Sequence, residues 1–226
     1  MPSESSVLWI GPSQSNRAMM RDAVRVAKLF GDRFEAKSRK LGTGQLAFEF
    51  DPVWAARRGG YARAPSRILW LLWQGKIERL EPLFDALVAD LARDRRLPWD
   101  KRVTISVEAN KCSRMAAGER QVVGTIKNAL QSLAKARGGQ WPVDTVDADL
   151  HFQCRDIGDG GIGLAIDLGA GSLSHRGERL DPGEEAMREN LAAILLLEAH
   201  YRPDQDRLFD PMCGTGTIAM EAAAFA

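Results

Sequence analysis

The sequence has no long hydrophobic stretch and few cysteines. Its longest apolar run, residues 191–197, is far shorter than the roughly 20 residues that a helix needs to cross a bilayer. The apolar stretch after the polar N-terminus, residues 7–10, is too short for a signal peptide. Cys112, Cys154 and Cys213 form no Cys-x-x-Cys pair, and their odd number argues against a disulfide framework. We therefore predict a chain of the reducing cytoplasm with no membrane partner.

Two further absences concern chemistry. No Gly-Lys-Ser or Gly-Lys-Thr occurs, which excludes a P-loop for nucleoside triphosphates. His151 and Cys154 lie three positions apart on a predicted strand, so their side chains point to opposite faces and cannot share a metal ion. Ser174 and His175 are adjacent on a strand and diverge in the same way. The sequence therefore predicts neither a metal centre nor a Ser-His catalytic pair.

Charge, by contrast, is abundant and unevenly distributed. Residues 1–150 contain 25 Lys and Arg against 17 Asp and Glu, whereas residues 151–226 contain 6 against 13. A basic front part is typical of a surface that meets a polyanion. The candidate phosphate contacts cluster on one loop and the helix after it, and they are Lys111, Arg114, Arg120 and Lys127. An ordinary solvated surface remains the alternative for each of them.

Hydrophobic periodicity predicts a small α+β unit at residues 1–74. A strand is expected at residues 7–10, a helix at 13–30 and a hairpin formed by 34–38 and 45–50. A short helix and a last strand at residues 68–73 follow. The first helix has an apolar side with Met20, Val24 and Ala27. A stripe of cations lies along its other side, at Arg17, Arg21, Arg25 and Lys28. Such a stripe suits either a phosphate backbone or a solvated face.

A second α+β unit is predicted at residues 75–171. One amphipathic helix is marked by Leu80, Phe84, Leu87 and Leu91, and another by Val122, Val123, Ile126, Leu130 and Leu133. Between them, residues 102–109 alternate as a half-buried strand does, and a polar basic loop follows at 110–114. Residues 148–154 and 162–168 also alternate, on either side of a Gly-Asp-Gly-Gly turn, which predicts a hairpin.

The last segment, residues 172–226, contains the signals of a helix start. Asp181 is placed to cap a helix, Pro182 occupies its first position and Glu184 suits a capping box. The expected apolar face of this helix consists of Met187, Leu191, Ile194 and Leu195. A short buried strand is then predicted at residues 208–210, and a glycine turn and an alanine-rich helix follow it.

The glycine turn is the strongest local signal of a ligand site. Gly214 and Gly216 allow the backbone to approach a ligand where a Cβ would collide, and the helix that follows presents unpaired N–H groups. Strand, turn and helix together favour a nucleotide-like or anionic ligand. Residues 214–219 also fit the dinucleotide fingerprint Gly-x-Gly-x-x-Ala, so an NAD(P)-dependent oxidoreductase is a possible, poorer interpretation.

Three segments in the same order resemble the THUMP-domain guanine-N2 RNA methyltransferases. Asp-Pro-Met-Cys-Gly-Thr-Gly-Thr at residues 210–217 is similar to the family's motif I. Upstream, residues 173–179 match its Leu-x-x-Arg-Gly-x-Arg strand and residues 189–193 its Glu-x-Leu-Ala-Ala helix. The resemblance implies a ferredoxin-like unit at 1–74, a THUMP RNA-binding domain at 75–171 and the start of a Rossmann-like α/β methyltransferase domain at 172–226.

The same resemblance implies S-adenosylmethionine as the cofactor. Its methionine end would be lined by Asp210, Pro211, Cys213, Gly214, Thr215, Gly216 and Thr217, and flanked by Glu189 and Asn190. Cys213 would then line the pocket and not act as a nucleophile. Arg176 and Arg179 would contact RNA at the junction with the RNA-binding part. Trp54, Trp99 and Trp141 are weaker candidates for base stacking, because Trp9, Trp70 and Trp73 lie in apolar strands.

The family's catalytic Asn/Asp-Pro-Pro-Tyr/Phe element is absent from the sequence. We therefore expect the chain to be a fragment of a longer enzyme and to be inactive alone. The resemblance implies guanine-N2 methylation of structured RNA, with ribosomal RNA favoured over transfer RNA. A stand-alone RNA-binding module is the alternative.

Overall fold

The computed structural model describes residues 6–35, 37–169, 171–174 and 186–225. The described residues form two compact units: one contains residues 69–169 together with Ser6, and the other contains 7–35 and 37–68 together with 171–174 and 186–225. We call them the continuous unit and the split unit.

The strands and α-helices in chain order are β1 (Ser6–Ile10), α1 (Asn16–Leu29), β2 (Ser38–Gly42), β3 (Gln45–Glu49), α2 (Pro52–Arg58), β4 (Arg67–Gly75), α3 (Leu80–Leu91), β5 (Ile105–Asn110), α4 (Glu119–Ala136), β6 (Leu150–Ile157), β7 (Gly161–Asp167), α5 (Glu189–Glu198) and α6 (Thr217–Ala223). No helix among the described residues is long and apolar enough to cross a membrane. The predicted mixture of helices and strands is confirmed.

The split unit contains a hairpin that is fastened to the start of α1. Strands β2 and β3 pair antiparallel and β3 lies beside β1, so the first strand of the hairpin begins at Ser38 and not at residue 34. The Asn16 amide donates to the carbonyls of Gly42 and Gln45 at 3.1 and 2.9 Å, and its oxygen accepts from Gly44 N at 2.9 Å. Gly44 has a φ of +71°, which an L side chain rarely adopts.

Helix α1 buries a different face from the predicted one. Ala27 is buried as expected, but Val24 is 43% exposed while Met19, Ala23 and Val26 are buried, so the buried face is shifted by about one position from the predicted one. The reason is Asp22, which is fully buried and accepts hydrogen bonds from Arg63 N at 2.5 Å and Ala64 N at 2.7 Å. A carboxylate that receives backbone N–H groups can lie inside, which hydropathy does not anticipate.

The cationic stripe of α1 serves largely to hold the split unit together. Arg21 donates to the Leu197 carbonyl at 2.9 Å and pairs with Glu198 at 3.0 Å. Arg25 pairs with Asp22 at 2.9 Å and donates to the carbonyl of Tyr61 at 2.5 Å. Two of the four cations therefore have internal partners, so neither alternative left open by the sequence, a phosphate contact or a solvated face, describes Arg21 and Arg25.

Helix α5 buries the face opposite to the one that was expected. Ala192, Ala193 and Leu196 are buried, whereas Leu195 is 49% exposed and Leu191 also faces out. Met187 precedes the helix, which begins at Glu189, and the capping signals at residues 181–184 lie outside the described residues. The run Leu-Ala-Ala-Ile-Leu-Leu-Leu is apolar on every side, so its pattern cannot choose a face.

The predicted strand at residues 208–210 does not form. These residues have no regular structure, and Phe209 is 86% exposed. A strand exists only through pairing with a neighbour, and no described strand pairs with this segment.

The continuous unit agrees well with the periodicity. Its strands lie in the order β4-β7-β6-β5, with β5 parallel to β6 and the other pairs antiparallel. Helices α3 and α4 cover one face of this sheet and bury Leu83, Leu87, Ile126 and Leu130. The hairpin of β6 and β7 closes at the pair Ile157 and Gly161. Both predicted amphipathic helices and the predicted hairpin are confirmed.

Candidate cofactor turn and basic surface

The turn at residues 210–216 is built by short-range hydrogen bonds. Met212 N donates to Asp210 Oδ1 at 3.1 Å, and Gly216 N donates to the Cys213 carbonyl at 2.7 Å. Gly214 and Gly216 have φ angles of +50° and +78°, the left-handed region that favours glycine. The two glycines are therefore needed for the path of the backbone itself.

The turn is open on its outer side. A methyl group placed on Gly216 would have no other atom within 4 Å, and one on Gly214 would meet only the Met212 carbonyl at 4.0 Å. Cys213 is exposed and Met212 is 89% exposed. Thr215 and Thr217 face each other with their hydroxyl oxygens 3.5 Å apart. The turn can thus offer backbone and hydroxyl groups to a ligand, but the described residues form one wall and no enclosure.

The two residues expected to flank this turn are buried on the inner side of α5. The Asn190 amide donates to Ser66 Oγ at 3.0 Å, and its Oδ1 has no hydrogen-bond partner among the described residues. Glu189 is likewise buried. Asn190 thus connects α5 to the segment before β4 within the split unit. That either residue also contacts a cofactor stays a prediction.

Four predicted phosphate contacts lie in the continuous unit, on the loop after β5 and on α4. Lys111, Arg114 and Arg120 are exposed and Lys127 is half-buried. Among the described residues none of the four forms an ion pair. Their charges are therefore available to an external anion. Arg176 and Arg179, the other two predicted contacts, lie outside the described residues.

The side of α4 that carries Arg120 and Lys127 has open space at Gly124. Gly124 lies between them at helical spacing, and a methyl group on it would meet nothing within 4 Å. At the other end of α4, an open cavity of about 510 Å³ is lined by residues that include Arg102 and Lys135. Sequence reasoning missed these two cations. Only the chain reversal at Gly138 and Gly139 brings them together, and no spacing rule indicates it.

Two of the tryptophans proposed for base stacking are core residues. Trp99 and Trp141 stack on each other with ring centroids 4.5 Å apart and are 2% and 3% exposed, so neither can stack on a base. Trp54 is half-buried and donates to Asp32 Oδ2 at 2.8 Å. Trp9 and Trp73 are buried as expected.

His151 and Cys154 do point to opposite faces of β6. His151 Nδ1 lies 2.7 Å from Ser106 Oγ on β5, whereas Cys154 is in the hydrophobic core. Among the described residues no group of three or more His, Cys, Asp or Glu could hold a metal ion. Cys154 instead lies against Cys112, with the two Sγ atoms 3.8 Å apart, a pair that sequence reasoning also missed.

Comparison with known proteins identifies the C-terminal segment. Residues 176–226, which contain the open glycine turn, match the family described as RMKL-like, methyltransferase domain. The ribosomal RNA large subunit methyltransferase K/L of Shewanella pealeana is 30% identical over 167 residues, which cover 74% of this chain and 23% of that protein.

The end of the chain, residues 176–226, is therefore similar to the methyltransferase domain of the RMKL-like proteins.

Two solved structures have a similar fold over nearly the whole of this chain. A predicted N6-adenine-specific DNA methylase from Listeria monocytogenes is 23% identical, with a TM-score of 0.74 over 96% of this chain and 54% of that one. A putative methyltransferase complexed with SAH has a TM-score of 0.73 at 20% identity, over 99% of this chain and 56% of that one. The chain spans about a quarter of the length of the curated relatives that it matches.

Proposed function

We propose that the chain is the RNA-binding part, with the first cofactor-binding motif, of an S-adenosylmethionine-dependent methyltransferase that acts on guanine N2 of ribosomal RNA. The observation that carries the proposal is the open glycine turn in the segment that matches the RMKL-like methyltransferase domain. As parts of the same proposal, residues 1–74 are a ferredoxin-like unit, residues 75–171 a THUMP domain and residues 172–226 the start of the methyltransferase domain. The cytoplasm is the proposed location.

The turn fits the methionine end of S-adenosylmethionine in its chemistry. Backbone N–H groups and the hydroxyls of Thr215 and Thr217 suit the cofactor's carboxylate, and the Asp210 carboxylate suits its ammonium group. The open space over Gly214 and Gly216 leaves room for close approach. Pro211 and Cys213 complete the proposed lining, with Glu189 and Asn190 behind it. When bound, the cofactor supplies a methyl group activated on a sulfonium.

RNA binding is assigned to the four cations of the continuous unit, together with Arg176 and Arg179. Neutralising a phosphate releases condensed counterions, so affinity falls with salt in proportion to the number of contacts. Lys111 and Arg114 on the loop and Arg120 and Lys127 on α4 have no internal ion pairs among the described residues. An extended phosphate backbone can therefore engage them without breaking any described salt bridge.

The test is the salt dependence of affinity for a structured ribosomal RNA fragment. Reversing both charges, Lys111→Glu with Arg114→Glu, should weaken binding and lower the slope of log affinity against log salt by about 0.7–0.9 per lost contact. Arg93→Glu with Arg95→Glu, the same two charge changes at exposed positions just after α3, is the matched control and should leave the slope unchanged. An equal slope in the double variant and the control would refute the proposed surface.

Two other functions give different results in the same assays. A stand-alone RNA-binding module would bind RNA in the same way, but the full-length protein from its native source would not methylate it. An NAD(P)-dependent oxidoreductase would bind a dinucleotide and show no steep salt dependence with RNA. A transfer RNA of matched length, tested beside the ribosomal fragment, decides between the two RNA classes.

A further inference from the structure

Two buried thiols face each other beneath the basic loop of the continuous unit. Cys112 Sγ lies 3.8 Å from Cys154 Sγ and 3.4 Å from the Cys154 carbonyl oxygen. The two residues are 6% and 1% exposed and both belong to the hydrophobic core of the unit. A disulfide has an S–S distance of about 2.0 Å. The two sulfurs therefore have to move less than about 2 Å towards each other to reach bonding distance.

The backbone on both sides of Cys112 is fastened to the strand that carries Cys154. Asp156 N donates to the Lys111 carbonyl at 3.1 Å, and Asp156 Oδ2 accepts from Ser113 N at 3.0 Å and Ser113 Oγ at 2.5 Å. Just before the loop, Asn110 on β5 is in register with Arg155 on β6. These contacts hold the two sulfurs opposite each other, so only the loop around Cys112 has to move for them to react.

The two thiols differ in acidity because of this contact. The side-chain hydrogen bond between Cys112 and Cys154 lowers the pKa of Cys112 below its ordinary value, although burial and the carboxylates of Asp156 and Glu119 oppose the shift. The same hydrogen bond and burial raise the pKa of Cys154. The Cys112 thiol is therefore the more acidic of the two, and we assign its sulfur as the nucleophile of the pair.

We propose that Cys112 and Cys154 form an oxidation-sensitive dithiol that closes to a disulfide and thereby weakens RNA binding by the loop at residues 110–114. The oxidant is a hydroperoxide, for which hydrogen peroxide is the probe. Formation of the disulfide depends only on the two thiols. The effect on RNA rests on the proposed function, because Lys111 and Arg114 flank Cys112.

The reaction proceeds in two balanced steps. The Cys112 thiolate attacks one peroxide oxygen, the O–O bond breaks, and the hydroxide that leaves takes up a proton to become water. The sulfur of Cys154 then loses its proton and attacks the sulfur of the Cys112 sulfenic acid. The S–S bond forms, the S–O bond breaks and a second water leaves. Two thiols are oxidised to one disulfide while one peroxide is reduced to two waters.

Closure of the bond strains the loop. Drawing the sulfurs together moves Cys112 towards β6, whereas Ser113 and Lys111 are already held by Asp156 on that strand. Lys111 has a φ of +57°, a conformation with little freedom to absorb the movement. The charged side chains on both sides of Cys112 must therefore change position relative to α4.

The first arm of the test measures the covalent chemistry. The 226-residue chain carrying Cys213→Ser, which removes the exposed thiol, is treated with hydrogen peroxide and examined by intact mass and peptide mapping. The expected product has lost two hydrogen atoms and contains a peptide linked through Cys112 and Cys154. In Cys154→Ala, a sulfenic acid at Cys112 should instead be trapped by dimedone, and Cys112→Ser should not react. Two unmodified thiols in the parent, or oxygen added to Cys112 without a link, would overturn the proposal.

The second arm measures RNA affinity of the same samples before oxidation, after it, and after treatment with dithiothreitol. Oxidation should weaken binding about fivefold or more, as expected when phosphate contacts are lost, and dithiothreitol should restore it. Cys154→Ala should keep its affinity through the cycle. If the disulfide forms and the affinity does not change, the regulatory role is wrong. If the reduced chain does not bind RNA, the proposed function fails, and the first arm still decides whether the dithiol exists.

Discussion

Gly124 and Gly139 lie in the same unit, but there is space for a side chain at Gly124 and none at Gly139. A methyl group on Gly139 would lie 2.0 Å from the Trp99 carbonyl oxygen and 2.7 Å from that of Lys101, whereas one on Gly124 would meet nothing within 4 Å. Gly139→Ala should therefore lower the free energy of unfolding by about 1–3 kcal/mol or more. Gly124→Ala should raise it by about 0.5–1 kcal/mol, because alanine is the better helix former. Urea denaturation of both variants measures the two signs, and a loss of stability in Gly124→Ala would contradict the open helix face.

Asp22 is the buried carboxylate on which the split unit depends. It accepts from the backbone N–H groups of Arg63 and Ala64 and pairs with Arg25. Asp22→Ala should lower the free energy of unfolding by about 3–5 kcal/mol, since it leaves buried donors and a charge without their partner. Asp206→Ala, which removes the exposed ion pair with Arg202, is the control and should change almost nothing. Equal thermal midpoints for the two variants would show that Asp22 is not the anchor.

The orientation of α5 can be tested with two adjacent leucines. Leu196 is 3% exposed and Leu195 is 49% exposed. Leu196→Ala should cost about 2–5 kcal/mol, because it leaves a cavity in the core of the split unit. Leu195→Ala should stay within about 0.5 kcal/mol of the parent. Chemical denaturation distinguishes the pair, and the reverse order of costs would restore the face expected from the sequence.

A prediction from the sequence is correct where the apolar and polar residues of an element fall on clearly different faces, and it fails where they do not. Helices α3 and α4 alternate apolar and polar stripes, so their existence and their buried faces were predictable. Helix α5 is apolar on all sides, so its buried face is determined by the groups that pack against it, including Arg21 of α1. Residues 208–210 have the composition of a strand but no partner among the described strands. Tertiary contacts overrule local preference in both cases.

The candidate sites show the same division. The positive φ angles at Gly214 and Gly216 follow from the glycine spacing, and the exposure of Lys111 and Arg114 follows from a polar loop. The contact between Cys112 and Cys154 was not predictable, because it depends on the register of β5 against β6. No rule based on spacing along one segment contains that information.

The exposure of the glycine turn limits what the chain can bind by itself. Phe209 and Met212 are 86% and 89% exposed, so a molecule held against the turn would remain in water on its other sides. We expect S-adenosylmethionine to bind this 226-residue chain with a dissociation constant weaker than about 1 mM. Isothermal titration calorimetry measures it, with the RNA titration as evidence that the sample is folded. Micromolar binding would mean that the described residues enclose the cofactor more fully than their exposure indicates.

The split unit is built from two segments that are far apart in the sequence and are therefore synthesised at different times. Arg21 and Glu198 are 177 residues apart in the chain, and Arg63 and Glu221 are 158 apart. A ribosome adds about 5–20 residues per second, so roughly 8–35 seconds pass between the emergence of α1 and that of its partner α5. During this interval the buried face of α1 has only the hairpin and its neighbours to cover it. The core of the split unit is therefore completed only once α5 has been made, whereas residues 69–169 of the continuous unit are all present before then.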